Sequence, residues 1–503
     1  MQVCMPNKTQ QKGLKIGIIG AGIGGLATAA RLAARGFDVE VFEANPYPGG
    51  KLSEFTLNGY RFDAGPSLFT MPQYVEEIFE AAGERAEEHF QYERLDTLCN
   101  YFWDDGVRLS APADKAQFAR RVEQTFQVPA GQVLRLLEDS AYKYDLTGRI
   151  FLEKSLHLPE TWLSWKVAKA MLQIPALDLF RSMNAVNERF LRHPRMVQLF
   201  NRYATYNGSS PYKTPGLLTI IPHFEYHIGA FYPRGGMYAI STSIFELAKR
   251  KGATFHFNSP VTRIDVQNGR AAGLEVNGSY RPFDTIVSNM DIFFTYRKLL
   301  ADQPRPERTL RQEKSTSALI FYWGVRRTFP ELDMHNIFFS GDYSHEFACM
   351  SRGEVSDDPT VYVNITSKYT PGDAPEGCEN WFVMINVPYH SGQDWDSIIA
   401  RCRRNAVAKV GRALNVDLGA LIECEDILDP RTIESRTSSH LGALYGTSSN
   451  NRMAAFLRHP NFSSRIRDLY FCGGSTHPGG GIPLCLLSAK LTDSFITRKH
   501  PTP

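Results

Sequence analysis

The sequence predicts an α/β (α+β) fold with two lobes, one built on a parallel sheet and one on a mixed sheet covered by helices. Three observations lead to this prediction. A strand, a glycine-rich turn and a helix follow one another at Leu14–Arg35, and the same order returns at Leu469–Thr497. Strand-like apolar runs and helical stretches alternate between these two units. A chain of 503 residues also exceeds what one hydrophobic core organises.

The N-terminal unit begins with the apolar run Leu14–Ile19, which suits a buried parallel strand. The turn after it carries Gly20, Gly22 and Gly25 in the spacing G-x-G-x-x-G. In this spacing the first glycine permits a tight turn, the second lets the backbone approach a pyrophosphate, and the third allows close helix packing. The helix that begins at Leu26 would hold the phosphate charge at its N-terminus. The unit therefore predicts a Rossmann-like dinucleotide site.

A second predicted strand, Val39–Phe42, ends in Glu43. An acidic residue about 20 positions after the glycines accepts hydrogen bonds from ribose hydroxyls, and its charge repels the extra phosphate of an NADP-type ligand. The residues themselves thus favour FAD or NAD. Glycines with a purely structural role remain the alternative.

Two further motifs follow the acidic residue, Pro48–Lys51 (PGGK) and Gly59–Ser67 (GYRFDAGPS). Together with the first motif they resemble the extended fingerprint of the amine oxidase and phytoene desaturase superfamily of flavoproteins. In that superfamily the Gly-Gly-Lys/Arg turn lies along the flavin diphosphate, and the Gly-Pro-Ser segment lies near the ribityl chain and the isoalloxazine. The resemblance implies FAD as the cofactor, and an ordinary glycine-rich hairpin is the alternative.

The C-terminal unit points to the same cofactor. The apolar run Leu469–Cys472 suits a buried strand, and the turn Gly473–Pro483 opens a helix that ends near Thr497. Glycines let main-chain atoms approach a flat ring, and a helix N-terminus favours a partly anionic flavin. The order of aromatic strand, small-residue turn, His-Pro-Gly and Gly-Ile-Pro resembles the C-terminal signature of carotenoid desaturases.

A third piece of the nucleotide lobe is predicted from Gly235 onward, with a helix at Ile240–Lys251 and short strands from Thr254 to Val287. By resemblance, Val261 brackets the adenine. We therefore expect a discontinuous FAD-binding lobe, residues 13–70, 233–291 and 456–497, and a substrate-binding, membrane-associating lobe, residues 71–232 and 292–455. The cofactor-binding residues implied by the resemblance are Gly20, Gly22, Ile23, Gly24, Gly25, Glu43, Ala44, Gly50, Lys51, Gly65, Pro66, Ser67, Val261, Gly473, Gly474, Gly481, Ile482 and Pro483.

Composition excludes several functional classes. The formal net charge of +3 is too weak for the dense basic face that captures nucleic acid, so no nucleic-acid partner is expected. Eight cysteines lie without a C-x-x-C pair or a zinc spacing, which predicts mostly buried thiols, a reducing cytoplasmic compartment and no metal site. No stretch is apolar and long enough to span a bilayer.

The substrate lobe contains no Ser-His-Asp arrangement, which fits the chemistry implied by the resemblance. Hydride transfer from a polyene to a flavin leaves a cation spread over the conjugated chain, so no strong base is required. Candidates to guide proton loss, each with a structural role as a cap or salt bridge as its alternative, are Asp145, Arg149 and His477. Candidates for lining the pocket are Tyr206, Asn207 and Glu225.

A forty-carbon hydrocarbon would gain on the order of 30 kcal/mol on leaving water, so it must pass directly from a bilayer to the enzyme. The region 143–195 combines interfacial tryptophans with a basic surface, which predicts peripheral membrane attachment, and a core-facing helix is the alternative. The electron acceptor would be oxygen or a membrane quinone. The apolar residues behind this prediction are Trp162, Trp165, Val167, Met171, Leu172, Ile174, Leu177, Leu179 and Phe180.

Within the family, the turn Gly473–Cys485 and the upstream Leu444–Thr447 are most similar to the 3,4-desaturases of 1-hydroxy-carotenoids, such as hydroxylated γ-carotene. His335-Asn336 departs from the His-His usual in phytoene desaturases. A phytoene desaturase remains the alternative within the family. An amine oxidase-like flavoenzyme or a non-catalytic lipid-binding escort protein are alternatives from other classes.

Overall fold

The computed structural model describes residues 13–163, 167, 173, 177–451 and 453–501. Its strands are β1 (Lys15–Ile19), β2 (Asp38–Phe42), β3 (Glu54–Leu57), β4 (Tyr60–Asp63), β5 (Phe69–Thr70), β6 (Tyr92–Arg94), β7 (Thr97–Phe102), β8 (Arg108–Pro112), β9 (Ala230–Pro233), β10 (Thr254–His256), β11 (Val261–Gln267), β12 (Arg270–Val276), β13 (Ser279–Pro282), β14 (Thr285–Ser288), β15 (Ser317–Val325), β16 (His335–Phe338), β17 (Val361–Asn364), β18 (Glu379–Val387), β19 (Ile422–Leu428) and β20 (Leu469–Phe471). Its α-helices are α1 (Ile23–Ala34), α2 (Gln73–Ala81), α3 (Lys115–Phe126), α4 (Ala130–Phe151), α5 (Pro159–Trp162), α6 (Met183–Leu191), α7 (Pro194–Asn201), α8 (Tyr238–Arg250), α9 (Ile292–Phe294), α10 (Glu307–Leu310), α11 (Tyr343–Ser351), α12 (Trp395–Leu414), α13 (Pro430–Thr437), α14 (Ala454–Leu457) and α15 (Ile482–Lys499).

A five-stranded parallel sheet forms the base of the first lobe, with the strand order β10-β2-β1-β14-β20. Its central strands are buried apolar runs, as two-sided burial of a parallel sheet requires. Strand β1 pairs with β2, the next strand in the sequence, on one side and with β14 on the other. A crevice therefore opens at the carboxyl ends of these strands. This sheet brings the two ends of the chain together as predicted, because β20 pairs with β14 beside β1.

Helices and a small sheet cover the two faces of the parallel sheet. Helices α1, α8 and α15 pack together on one face, with their apolar side chains in a shared core. The antiparallel sheet β11-β12-β13 lies on the other face, over Phe42, Phe283 and Leu469. This arrangement confirms the strands predicted between Thr254 and Val287. It also fixes Val261 at the beginning of β11, beside the crevice.

A seven-stranded mixed sheet forms the floor of the second lobe, with the order β19-β15-β18-β17-β16-β7-β8. All nine residues of its strand β15 are buried, which explains the continuous apolar run in the sequence. Strands β7 and β8 were not predicted from the sequence. They join this sheet through the parallel pairing of β7 with β16, a contact between segments more than 200 residues apart.

Helix α4 runs without interruption through residues 144–149, the segment that contains the candidates Asp145 and Arg149. Within the described ranges, no helix is both long and apolar enough to cross a membrane. Six of the seven described cysteines are buried, and all seven are free thiols. The tryptophan and apolar side chains at positions 165, 171, 172 and 174 lie outside the described residues.

Candidate active site

One cavity of about 1290 Å³ begins at the carboxyl ends of β1, β2, β14 and β20 and continues along one face of the seven-stranded sheet. It exceeds the roughly 300–1,000 Å³ of pockets for drug-sized ligands. Gly25 does not line it, because its position serves helix packing: a Cβ there would lie 2.1 Å from the carbonyl oxygen of Gly20. The other predicted cofactor residues all line this cavity: Gly20, Gly22, Ile23, Gly24, Glu43, Ala44, Gly50, Lys51, Gly65, Pro66, Ser67, Val261, Gly473, Gly474, Gly481, Ile482 and Pro483.

The two glycine-rich turns meet at Asn289, which follows β14. Its side-chain Nδ2 donates to the carbonyl oxygen of Cys472 at 3.2 Å. A Cβ added to Gly24 would lie 2.8 Å from this Nδ2, and one added to Gly473 would lie 2.4 Å from it. The turns therefore fit together only without side chains. The role of Asn289 between the turns was not predicted from the sequence.

Glu43 is buried at the end of β2, as the dinucleotide motif predicts. Its Oε2 accepts from the backbone N–H of Ala21 at 2.7 Å, and its Oε1 accepts from the backbone N–H of Asn45 at 2.9 Å. Oε1 also accepts from Nδ2 of Asn45 at 2.9 Å, so both of its acceptor positions are taken. Oε2 has one position left, which can accept from a ribose hydroxyl. The tight turn of Gly20, at φ +90°, orients Ala21 toward this carboxylate.

Lys51 connects the N-terminal motifs to the C-terminal segment. Its Nζ donates to the carbonyl oxygens of Leu444 at 2.9 Å and Ala443 at 3.3 Å. Burial lowers the pKa of Lys51, partly offset by the nearby charge of Asp291. The sequence singled out Lys51 and the Leu444 segment separately, and the fold places them in contact.

The polar residue of the Gly-Pro-Ser motif begins a hydrogen-bonded chain along the cavity wall. The Oγ of Ser67 lies 2.9 Å from the hydroxyl of Tyr362, which lies 2.7 Å from Nδ1 of His335. All three residues line the cavity. Burial lowers the pKa of His335 to about 3, so the imidazole is neutral. The hydrogen-bonded chain links a predicted cofactor residue to the seven-stranded sheet.

A polar cluster lies further along the same wall, around the buried Arg202. Its guanidinium donates to the hydroxyl of Tyr206 at 2.9 Å and to Oε2 of Glu225 at 3.3 Å. The Tyr206 hydroxyl also donates to the other oxygen of Glu225. Tyr206, Asn207 and Glu225 all line the cavity, where the sequence placed them, whereas Arg202 was not predicted.

A second arginine in the cavity wall, Arg458, is buried without a carboxylate partner among the described residues. Its Nη2 donates to Oγ of Ser449 at 3.3 Å. Burial lowers the pKa of Arg458 to about 10, so it remains protonated at neutral pH. A Cβ on Gly479 would lie 2.7 Å from Nη1, which places this positive charge against the C-terminal glycine turn.

Asp145 and His477, two of the three residues predicted to guide proton loss, do not line this cavity. His477 is buried outside the cavity lining, and its Nε2 is bound to the carbonyl oxygen of Lys154 at 2.8 Å. Asp145 is an exposed residue of α4. The helical period explains its position, because Thr147 and Gly148 face the cavity and a residue two positions before Thr147 lies on the opposite side. The side chain of Arg149 lies outside the description.

Large apolar side chains surround one end of the cavity. Phe180 is 71% exposed and Met453 is 53% exposed, and both line the cavity. The ring of Phe456, also a lining residue, lies 5.7 Å from that of Trp162. Leu163, next to Trp162, is 86% exposed. The cavity thus opens on an exposed apolar surface, which we call the apolar rim (Trp162, Leu163, Phe180, Met453 and Phe456).

Residues 23–492 match the family of flavin containing amine oxidoreductases. The chain is 50% identical to a 1-hydroxycarotenoid 3,4-desaturase from Flavobacterium sp. (strain P99-3), over 95% of this chain and 98% of that protein. It is 31% identical to a zeta-carotene-forming phytoene desaturase from Myxococcus xanthus, over 97% of this chain and 95% of that protein. The chain belongs to the carotenoid desaturase family. It is therefore an FAD-dependent oxidoreductase, and the resemblance inferred from its motifs is confirmed.

Other members and solved structures agree with this assignment. A 4,4'-diapolycopene oxygenase from Methylomonas sp. is 32% identical over 94% of this chain and 96% of that protein. A structure of putrescine oxidase bound to putrescine superposes with a TM-score of 0.65, at 14% identity over 97% of this chain and 99% of that one. A structure of an oxidoreductase from Methanosarcina mazei superposes with a TM-score of 0.62, at 14% identity over 95% of this chain and 99% of that one. The solved structures confirm the predicted fold class.

Proposed function

We propose that this member of the family introduces a carbon–carbon double bond into a long polyene, by 3,4-desaturation of a 1-hydroxy-carotenoid such as hydroxylated γ-carotene. One observation carries the proposal: a single cavity joins the glycine cradle between the two chain ends to a long apolar wall that opens on the apolar rim. The 50% identity to a 1-hydroxycarotenoid 3,4-desaturase over nearly the full length of both chains supports the substrate class.

Residues 13–70, 233–291 and 456–497 form the FAD-binding lobe in this proposal, and residues 71–232 and 292–455 form the substrate lobe. Glu43 binds ribose hydroxyls, and the N-terminus of α1 at Ile23 binds the diphosphate. Ser67 and the turn Gly473–Pro483 flank the ring. Bound FAD supplies the hydride acceptor. The absence of side chains at Gly24 and Gly473 leaves the space that a flat, charged cofactor needs.

The substrate wall positions the polyene and excludes water. Its apolar residues come from both the helices and the sheet, so the chain lies between the two layers. A conjugated hydrocarbon offers no group for hydrogen bonding along most of its length, and shape and burial decide where it binds. Apolar residues of this wall include Leu68, Met71, Phe151, Leu152, Leu217, Leu218, Ile220, Ile221, Phe224, Ile320, Ile337, Phe382 and Met384.

Delivery of such a substrate explains the apolar rim. The exposed side chains of Leu163, Phe180 and Met453 would enter the headgroup region of a bilayer and place the cavity opening against the lipid. Peripheral attachment to the cytoplasmic face of a membrane follows from this role. Electrons then leave to oxygen or to a membrane quinone.

The test uses purified protein loaded with FAD and mixed with liposomes that contain hydroxylated γ-carotene, γ-carotene or phytoene. A red shift of the product spectrum, which reports a longer conjugated system, is expected with the hydroxylated substrate. Conversion of phytoene alone would instead support a phytoene desaturase. Runs under argon with a quinone, and in air without one, identify the electron acceptor.

Two outcomes would reject desaturation altogether. Peroxide formation from soluble amines, with no change in any carotenoid spectrum, would indicate an amine oxidase. Carotenoid binding without flavin reduction would indicate a non-catalytic lipid-binding protein.

A further inference from the structure

His335 lines the cavity, and the hydrogen bonds of its ring nitrogens decide which of them carries the proton. Its Nδ1 lies 3.3 Å from Nδ2 of Asn364, and the same Nδ2 donates to the carbonyl oxygen of Met334 at 3.1 Å. A carbonyl only accepts, so this atom of Asn364 is assigned as the amide nitrogen. Nδ1 of His335 is then the acceptor, both for this amide and for the hydroxyl of Tyr362 at 2.7 Å. Because the ring is neutral, its one proton lies on Nε2.

This Nε2–H group is buried and has no hydrogen-bond partner among the residues that the structure describes. A buried donor without an acceptor is unfavourable, so such groups usually have a functional reason. His335 lines the cavity, and its side chain is held by Tyr362 and Asn364 on the opposite side of the ring. A ligand with an oxygen acceptor would complete its hydrogen bonding.

An acceptor without a partner also lines this cavity. The Oδ1 of Asn207 is buried and unpaired within the described part of the chain. The adjoining Tyr206, Arg202 and Glu225 are already satisfied by one another. One free donor and one free acceptor are what a hydroxyl group requires, since it both accepts and donates.

The position of His335 relative to the cofactor motif also fits a particular end group. Only the hydroxyl of Tyr362 separates Nδ1 of His335 from Oγ of Ser67. In a 1-hydroxylated carotenoid, three carbon–carbon bonds, a span of about 4 Å, separate the hydroxyl-bearing C1 from C4. A hydroxyl bound at His335 would therefore fix the position of the C3–C4 bond along the cavity.

We propose that His335 and Asn207 form the binding site for the tertiary hydroxyl at the end of the carotenoid, with Nε2–H of His335 donating to the hydroxyl oxygen. This assignment rests on the proposed function and names the residues that select the substrate end. The hydroxyl lies at the polar end of the cavity, and the polyene extends from there toward the apolar rim. The contact fixes which bond is presented for oxidation.

The test compares binding of two carotenoids that differ only in the hydroxyl, hydroxylated γ-carotene and γ-carotene. Protein loaded with FAD is incubated with liposomes that contain either one, and the carotenoid bound per protein is measured from its absorbance after separation from the lipid. The natural protein should prefer the hydroxylated compound by about tenfold or more, because a binding group left without its partner penalises the analogue.

The variant His335→Phe removes the donor and should bring this preference close to one, while His335→Gln, whose amide can donate, should retain part of it. Leu217→Ala is the matched control, since it changes an apolar lining residue and should weaken binding of both carotenoids by the same factor. A melting temperature measured for each variant establishes that it folds. If His335→Phe does not fold, Asn207→Leu tests the acceptor and should also reduce the preference.

The inference is overturned if the natural protein binds both carotenoids equally, or if His335→Phe and Asn207→Leu keep the full preference. Its failure differs from failure of the proposed function. Preferential binding of the hydroxylated compound without lengthening of its conjugated system would reject the desaturase and leave the hydroxyl site in place. Desaturation of both compounds at equal rates and affinities would support the desaturase and reject the hydroxyl site.

Discussion

Gly24 and Gly473 are 449 positions apart in the sequence, yet a Cβ added to Gly24 would lie 3.0 Å from the Cα of Gly473. The N-terminus of α1 and the turn after β20 are thus in direct contact. Asn289 joins them from a third segment of the chain. Three segments that are remote in sequence therefore form one binding cradle, and the geometry of the cradle depends on all three.

Gly24→Val should release the flavin. The new side chain would collide with Nδ2 of Asn289 and with the backbone of Gly473, and the two turns would have to separate. We expect a loss of bound FAD, measured by the ratio of flavin to protein absorbance. We also expect the free energy of unfolding to fall by about 1–3 kcal/mol, the usual cost of overpacking.

Gly372→Ala is the control for this experiment. A Cβ at Gly372 meets no atom within 4 Å, and its backbone lies outside the left-handed region. Its flavin content should match that of the natural protein, and its free energy of unfolding should change by less than about 0.5 kcal/mol. Normal flavin binding by Gly24→Val would show that the contact between the turns is not part of the cofactor site.

The double variant Leu163→Ser, Met453→Ser should weaken attachment to membranes. Both side chains are more than half exposed on the apolar rim, and burial of one leucine or methionine is worth about 1.5–3 kcal/mol. Flotation with liposomes should show at least a tenfold weaker partition, with an unchanged melting temperature. Tyr280→Ser is the control, because Tyr280 is 51% exposed but lies on β13, outside the cavity lining. Equal partition of the double variant and of Tyr280→Ser would show that the apolar rim does not contact the membrane.

Lys143→Met should strongly destabilise the segment that carries the rim residue Phe180. The Nζ of Lys143 is fully buried and lies 2.9 Å from Oδ2 of Asp178, two positions before Phe180. Removal of the lysine leaves the buried Asp178 with one remaining cation, Arg189. It also removes the partner of Asp139, whose Oδ2 lies 2.7 Å from the same Nζ, and the expected total cost is about 3–5 kcal/mol. Urea denaturation followed by tryptophan fluorescence measures the loss.

Arg189→Gln provides the comparison, because Arg189 binds the same Asp178 at 3.0 Å but is 43% exposed. Solvent screens this pair, so its removal should cost less than about 1 kcal/mol. Similar losses for the two variants would contradict the assignment of Lys143 as the main partner of Asp178.

The stability of the C-terminal turn should fall on acidification. Burial lowers the pKa of His477 to about 4 from the 6.5 of a free histidine. Between these values the unfolded chain binds the proton and the folded chain does not, so stability is fully present above pH 6.5 and is lost as the pH falls toward 4. One such histidine accounts for about 1 kcal/mol between pH 7.5 and 5.5.

The variant His477→Gln removes this titration while its amide can still donate to the carbonyl oxygen of Lys154. The free energy of unfolding should therefore change less between pH 7.5 and 5.5 in the variant than in the natural protein, by about 1 kcal/mol. Denaturation curves at the two pH values measure this change. An identical difference in both proteins would mean that His477 is protonated in the folded state.

Local sequence was sufficient for the elements of the nucleotide lobe. Strands β1, β2, β14 and β20 were predicted within one or two residues, because a buried parallel strand is a short apolar run and a glycine turn marks its end. The strands β7 and β8 were missed. They alternate polar and apolar residues weakly and become strands through pairing with β16, which no local pattern records.

The candidate site likewise has one part that the sequence predicted and another that only the fold shows. The sequence by itself determined the cofactor motifs, since glycine spacing and the acid after β2 reflect what the backbone must do around a dinucleotide. Only the tertiary structure decided which polar side chains face the substrate: Asp145 and His477 point elsewhere, while His335 and Arg202 join Glu225 on one wall. The direction of a side chain depends on how helices and strands pack against one another, and that packing arises from contacts between distant segments of the chain.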